Sequence, residues 1–432
     1  MDKHTLITTI ERSENAFKNW RKYSFVERQK LLLELAKHLK LNVEKFGKII
    51  TKEMHKPITQ SKAEIEKSAL MTEFYAYSEN VLAPQKIEMG LSLSEVHYQP
   101  LGIILGVMPW NFPFWQTLRF AVPTILAGNV VVLKHASICH ESGDAVEQLF
   151  LDAGFPEGVF QHLKISHDEV EELIKHPSIK GVSLTGSEGA GSKVASLAGK
   201  NIKKSILELG GNDAFIVLED ADWIAAAKDG ALSRLQNCGQ TCVAAKRFIV
   251  HEKIYDQFLT EFIGEYQKFK IGDPFDETTQ LGSMAREDLA NELEKQYHKA
   301  IEHGAEIILP LERLSEVSFL PGLLKMNEGN PILDEELFGP LGMILKGKND
   351  EEILQIANNT RFGLANSVWT QDKKKALFFA ENLESGTVSI NQLTKSDPRL
   401  PFGGTKSSGY GVELSLQALK EFTITKTWIG NI

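Results

Sequence analysis

Cysteine is scarce in this chain, with three residues in 432, at positions 139, 238 and 242. So few thiols exclude a disulfide framework and point to a reducing compartment. Metal-ligand spacing is missing as well: no second cysteine or histidine cluster follows Cys238 and Cys242, and the twelve histidines are scattered from His4 to His303, so no metal site is expected. Basic charge is not in excess, with 48 Lys and Arg against 57 Asp and Glu and a net charge of -9. Nucleic acid and anionic membrane both need a basic field to attract them, and neither is expected as a partner. Long apolar runs are absent too. The stretch from Phe120 to Leu133 is broken by Pro123, Gly128 and Asn129 and is too short to cross a bilayer, and the first residues, MDKHTLITTIERSE, carry no apolar export core. A cytoplasmic protein is the expectation.

What is present is an ordinary globular makeup, 42% hydrophobic and 24% charged, long enough for two or three domains. The first eighty residues read as helical. Ser24-Phe-Val-Glu27 spells a capping box ahead of Leu32, Leu35 and Leu39 at helical spacing. After Pro84 the pattern changes, and MGLSLSEVHYQP (89 to 100) alternates like an exposed or pairing ribbon. From residue 101 short apolar runs end in Gly, Pro or small residues: LGIILGVM (101 to 108), NVVVLKH (129 to 135), GVSLTG (181 to 186) and DAFIVL (213 to 218). Such runs suit strands buried on both faces of a parallel sheet. A second series follows Cys242: RFIVHE, EIILP, GMILKG, NSVWTQD and GTVSIN. The fold class is therefore α/β, with a second α/β unit and a cleft between the two. No internal repeat or low-complexity tract interrupts it.

Five segments carry chemistry. In QNCGQTCVAAKR (236 to 247) the cysteines have three residues between them, against two in thioredoxin-type pairs, which leaves an activated thiolate or an inert core residue. In VSLTGSEGAGSKVASLAG (182 to 199) a strand runs into Gly186-Ser187 and a small-residue helix, either a phosphate-holding helix N-terminus or an ordinary β-α turn. Lys134 ends an apolar strand, where ligands bind in open sheets; the alternative is a lysine that merely reaches solvent. Glu208 in ILELGGNDAF lies among leucines before two glycines, an environment that turns a carboxylate into a base near neutral pH, unless it simply faces water. MPWNFPFWQTLRF (108 to 120) surrounds Asn111 with aromatics and prolines, either an oxyanion site with one amide donor or plain core.

Taken together and in order, PWNFP (109 to 113), VVLKHAS (131 to 137), TGS (185 to 187), LELGG (207 to 211), GQTC (239 to 242), EELFGP (335 to 340) and PFGGTKSSGYG (401 to 411) resemble the aldehyde dehydrogenase superfamily over nearly the whole chain. The resemblance implies two Rossmann-like doubly wound domains and a small β oligomerisation arm. It puts the dinucleotide-binding domain at 1–82 and 100–210, the catalytic domain at 211–415 and the arm at 83–99 and 416–432. It implies oxidation of a small-molecule aldehyde to the acid with NADP or NAD as cofactor. Cys242 matches the nucleophile, forming a thiohemiacetal and then a thioester. Asn111 with the Cys242 amide matches the oxyanion hole, and Glu208 the base that activates water; coenzyme A-acylating relatives usually lack that glutamate. Trp110, Lys134, Ser137, Gly186, Ser187, Glu336 and Phe338 match cofactor-binding positions. Cys238 is expected to be dispensable, with a reversible Cys238–Cys242 bond under oxidation left open.

Two departures refine this reading. NAD-preferring relatives commonly carry a glutamate where this chain has Ser137; a serine tolerates the 2'-phosphate that a carboxylate repels, so NADP is favoured. Arg119 matches the arginine that grips the distal carboxylate in succinate-semialdehyde dehydrogenases, in an aromatic tunnel that includes Trp115. A second arginine of that group is replaced by Gln236, with Lys395 and Arg399 as stand-ins. Succinate semialdehyde is thus the expected substrate, general aliphatic or hydroxy aldehydes the alternative, and a catalytically silent scaffold the reading from another class. The ribbon before Pro100 and the terminal TITKTWIGNI resemble the arms that pair edge strands across a subunit interface, implying a homodimer, with a homotetramer as second choice.

Overall fold

The computed structural model of the chain describes residues 3–432. Four helices come first: Lys3–Trp20, Phe25–Leu41, Val43–Met54 and Ile58–Ala76. The capping box forms, the Ser24 amide donating to Glu27 Oε2 at 2.6 Å and the Glu27 amide to Ser24 Oγ at 3.2 Å. Leu32, Leu35 and Leu39 of that helix are fully buried.

The first sheet has the strand order 409–410, 204–208, 179–185, 103–108, 130–135, 160–162, all parallel except Gly409–Tyr410, which runs antiparallel to Lys204–Glu208. The chain starts at Ile103–Met108, steps outward to Val130–His135 and Phe160–His162, then returns to the other side through Ile179–Thr185 and Lys204–Glu208. That reversal opens a crevice at the carboxyl ends of the strands beside Met108 and Thr185, where doubly wound sheets bind their ligands. Register aligns the ends: Val107 is opposite both Lys134 and Leu184, and Thr185 is opposite Glu208. The motifs that follow these strands therefore emerge along one edge. Val130 to Leu133 are wholly buried, each side chain contributing about 1.5–3 kcal/mol by leaving water.

The second sheet has the order 306–309, 322–325, 341–347, 247–251, 214–217, 365–369, 387–390, parallel apart from its first pair. Two short strands, Phe160–His162 and Gly322–Lys325, had no distinct pattern in the sequence. The third sheet joins Gln85–Lys86, Leu93–Pro100 and Thr423–Gly430, the last two in register from Leu93 opposite Gly430 to Pro100 opposite Thr423. The ribbon thus begins at Leu93; Met89 to Ser92 form bends instead. Thr423–Gly430 is an edge strand and exposes Ile424, Trp428 and Ile429.

Candidate active site

Helix Trp223–Leu235 delivers the chain to a loop with an unusual backbone. Asn237, Cys238 and Gly239 are all left-handed, with φ of 54°, 53° and 70°. Only glycine adopts such angles freely, and a Cβ on Gly239 would lie 2.2 Å from the Gly339 carbonyl oxygen. The loop keeps this shape because other segments hold it. The Asn237 amide group donates to the Asn111 carbonyl at 2.9 Å, Arg234 donates to the carbonyls of Gly239 at 2.5 Å and Ala245 at 3.1 Å, and Gln240 Oε1 accepts from the Ala285 amide at 2.9 Å. Lys246 reaches back to the carbonyls of Thr241, at 3.0 Å, and Cys242. Cys238 is consequently packed into the core of the second sheet, while Cys242 remains partly open.

Cys242 lies on the wall between two cavities. One, of about 670 Å³ with its mouth included, is bounded by Trp110, Asn111, Gly186, Ser187, Glu336 and Phe338. The other, of about 930 Å³, is bounded by Lys67, Trp115, Arg119, Gln236, Lys395 and Phe402. Gln116 and Cys242 belong to both.

Asn111 is buried and spends one amide hydrogen on the Gln240 carbonyl at 2.9 Å, leaving the other for the cavity. The Cys242 amide donates to no group among the described residues. Glu208 is 2% exposed and neither carboxyl oxygen has a hydrogen-bond partner among the described residues. Burial pushes its pKa well above the carboxylate range; Arg119 pulls against this and Glu413 adds to it. Burial also pushes the Cys242 thiol up to about 11, outweighing the pull of Arg119 and Lys246. Burial thus favours the protonated form of both the Cys242 thiol and the Glu208 carboxyl group.

The first cavity is built for a dinucleotide. Ser187 caps helix Glu188–Lys200, its Oγ accepting from the Ala190 amide at 3.4 Å, so Gly186-Ser187 is a helix N-terminus facing the crevice. Lys134 is buried with no acid within ion-pair distance among the described residues, and burial alone lowers its pKa. Neither Lys134 nor Ser137 bounds the first cavity itself; Lys134 ends the strand paired with Ile103–Met108, at the carboxyl edge of the sheet, where a phosphate would offset its charge. Thr185 Oγ1 is a buried hydroxyl without a partner on the cavity wall. Ser137 stands exposed just past the Lys134 strand. Trp110 meets Phe338 edge-on at 5.7 Å. Glu336 accepts from the Gly211 amide at 3.0 Å and pairs with Lys246 at 3.2 Å, and a Cβ on Gly210 would fall 2.3 Å from its other oxygen, Oε2. These residues fit a nicotinamide dinucleotide.

The aldehyde dehydrogenase family model matches residues 1–428. The chain belongs to the aldehyde dehydrogenase family. It is similar to succinate-semialdehyde dehydrogenase [NADP(+)] 1 of Mycobacterium tuberculosis, 40% identical over 429 residues, covering 98% of this chain and 94% of that protein. It is similar also to succinate semialdehyde dehydrogenase [NAD(P)+] of Escherichia coli, 42% identical over 423 residues, covering 96% of this chain and 91% of that one. Among solved structures, succinic semialdehyde dehydrogenase of Streptococcus pyogenes in complex with NADP+ superposes with a TM-score of 0.96 at 37% identity, covering 100% of this chain and 96% of that one.

In this aldehyde dehydrogenase Arg119 is buried against Glu413 as an ion pair, with its guanidinium 4.8 Å from the Phe402 ring. Burial opposes its charge, but Glu413, foremost among the acidic groups around it, holds its pKa above the usual value. Trp115 walls the same cavity. Lys395 lines it, whereas Arg399 is exposed and paired with Asp397 at 2.7 Å. Sequence reasoning missed Lys56, Glu64, Lys67, Lys246 and Glu413. A buried charge is the signal that finds such residues, and burial is legible only after folding.

Proposed function

We propose that this aldehyde dehydrogenase oxidises succinate semialdehyde to succinate with NADP favoured over NAD, in the cytoplasm. The observation that carries the reading is Cys242 on the wall shared by a dinucleotide-shaped cavity and a cation-lined one, with Asn111 on the wall of the first and the Glu208 carboxyl group acting on the thiol electrostatically. The relatives' names supply the substrate, and Lys134 with Ser137 in place of a carboxylate supplies the cofactor preference.

Cys242 loses its proton to solvent and its sulfur attacks the aldehyde carbon. Asn111 Nδ2 and the Cys242 amide donate to the oxygen as it gains negative charge. Trp110, Gly186, Ser187, Glu336 and Phe338 would hold a nicotinamide dinucleotide in the first cavity, which would supply the acceptor for the hydride leaving the substrate carbon. Glu208 then takes a proton from water as the water oxygen attacks the thioester carbon on Cys242, and it returns that proton to the departing sulfur, releasing the carboxylic acid and the thiol. Trp110 and Phe338 exclude bulk water on the cofactor side.

Residues 1–82 and 100–210 form the dinucleotide-binding domain in this reading, 211–415 the catalytic domain and the rest the arm. Apolar Ile424, Trp428 and Ile429 on an open edge support a homodimer, with a homotetramer as second choice. Sedimentation at a single protomer mass would remove the oligomer.

One observation favours a second substrate reading: Glu413 already answers the charge of Arg119, which suits uncharged aliphatic or hydroxy aldehydes. Following reduced cofactor with succinate semialdehyde, butanal and glycolaldehyde, each with NADP+ and NAD+, decides between the two. A kcat/KM for butanal above that for succinate semialdehyde sinks the first reading.

A further inference from the structure

Lys67 lies on helix Ile58–Ala76, and its ammonium group is held 4.2 Å above the Trp115 ring centroid and donates to Ser396 Oγ at 2.8 Å. It is half-buried and faces the cavity that Cys242 shares. No carboxylate lies within ion-pair distance of it among the described residues. The acids nearest in charge are already engaged: Glu64 pairs with Lys56 at 2.5 Å, and Asp397 with Arg399 at 2.7 Å. The other charged neighbours, Arg119 and Lys395, are cations, and Arg119 is matched by Glu413. The second cavity therefore holds a surplus of positive charge centred on Lys67. A cation withdrawn from water without a counter-ion is costly unless something brings one.

We propose that Lys67, with Ser396 beside it, binds the distal carboxylate of the aldehyde substrate, while the charge of Arg119 is committed to Glu413. This inference rests on the reading of the substrate as a carboxylated aldehyde. Trp115 fixes the ammonium from below, and Ser396, freed from Lys67 as acceptor, can donate to the arriving carboxylate. Burial, joined by Arg119 and Lys395, pulls the Lys67 pKa down to about 8, with Glu64 and Asp397 opposing. The ammonium charge is present below that pH and lost above it. A bound carboxylate favours the charged form, so carboxylate binding weakens as pH rises through this range. Proton loss from Cys242 also changes with pH, but it acts on every aldehyde alike, so a ratio of two substrates cancels it.

The test compares succinate semialdehyde with butanal, using saturating NADP+, in the wild type and in Lys67→Met and Lys67→Arg. The ratio of their kcat/KM values is expected to fall in Lys67→Met by about tenfold or more, the loss of a charge-assisted hydrogen bond, mainly through KM for succinate semialdehyde. Lys67→Arg is expected to recover part of the ratio. The wild-type ratio alone is expected to decline between pH 7 and pH 9, which keeps the inference testable should Lys67→Met fail to fold. A preference for succinate semialdehyde that survives in Lys67→Met, or stays flat with pH in the wild type, overturns the role of Lys67 and leaves the substrate reading standing. A wild type that prefers butanal overturns both.

Discussion

Lys56 and Glu64 form an ion pair at 2.5 Å with side chains 0% and 1% exposed. The second oxygen of Glu64 accepts from the amides of Phe114 and Trp115 at 2.9 and 3.0 Å, the first turn of helix Pro113–Leu126, and the Lys56 ammonium lies 3.7 Å from the Phe112 ring centroid. One carboxylate thereby fixes the segment that carries Asn111 to the helix that carries Lys67.

Removing either partner strands a charge in a dry interior. Glu64→Ala is expected to cost roughly 3–5 kcal/mol of stability, read from urea unfolding followed by fluorescence. Lys56→Met combined with Glu64→Gln should recover part of that loss, since both charges then leave together. A Glu64→Ala loss below about 1 kcal/mol, the range of an exposed pair, would contradict the pairing.

Glu208→Gln separates the two halves of the reaction. Its carboxyl group has no partner to miss among the described residues, so the fold is expected to hold. Thioester hydrolysis should fall by roughly 10²–10⁴-fold, the usual worth of a general base, and reduced cofactor should appear as a single burst. The raised pKa means Glu208 carries its proton at low pH and becomes a base as pH increases. Log kcat of the wild type should therefore climb with pH, and the variant should lose that slope. Steady turnover at the wild-type rate would remove Glu208 from the mechanism.

The Cys242 thiol, held near 11, should react slowly with iodoacetamide in the absence of cofactor. At neutral pH the thiolate fraction is roughly one part in ten thousand. Each pH unit from 7 to 10 is expected to raise the labelling rate about tenfold, because only the thiolate is nucleophilic. Cys238, buried with its thiol pushed up to about 12, should stay unlabelled in the folded enzyme, and Cys238→Ala should leave turnover in place. Rapid labelling at pH 6 would contradict the protonated resting state.

Ser137→Glu would set a carboxylate beside the position assigned to the 2'-phosphate, near Lys134. Selectivity for NADP+ over NAD+ is expected to drop by about tenfold or more, because like charges at an interface cost several kcal/mol. The cofactor ratio of kcat/KM checks it, and an unchanged ratio would place the adenosine ribose elsewhere.

Much of this architecture was legible because its signals are local. Val130 to Leu133 announced a buried strand, Ser24 and Glu27 a helix start, and Lys134, Gly186 and Glu208 sat at strand ends that parallel pairing then brought to one edge. Partnerships across the fold leave no such trace. Lys67 and Ser396 are 329 positions apart, and no period or spacing in either segment announces their contact. Arg119 read as a free cation because Glu413 lies on the far side of the chain in sequence. The protonation of Cys242 lies outside the sequence for the same reason: the motif marks the nucleophile, whereas its pKa depends on how much water the assembled walls exclude.

The three left-handed residues before the nucleophile bear on how an active molecule comes into being. Each non-glycine residue in that conformation costs roughly 1–3 kcal/mol, and the contacts that offset it come from Gln60, Asn111 and Ala285. A newly made chain can wind its helices and zip its sheets before those segments converge, with the reactive sulfur still unaimed. Catalytic competence therefore depends on segments far apart in the chain meeting at one loop, not on that loop alone.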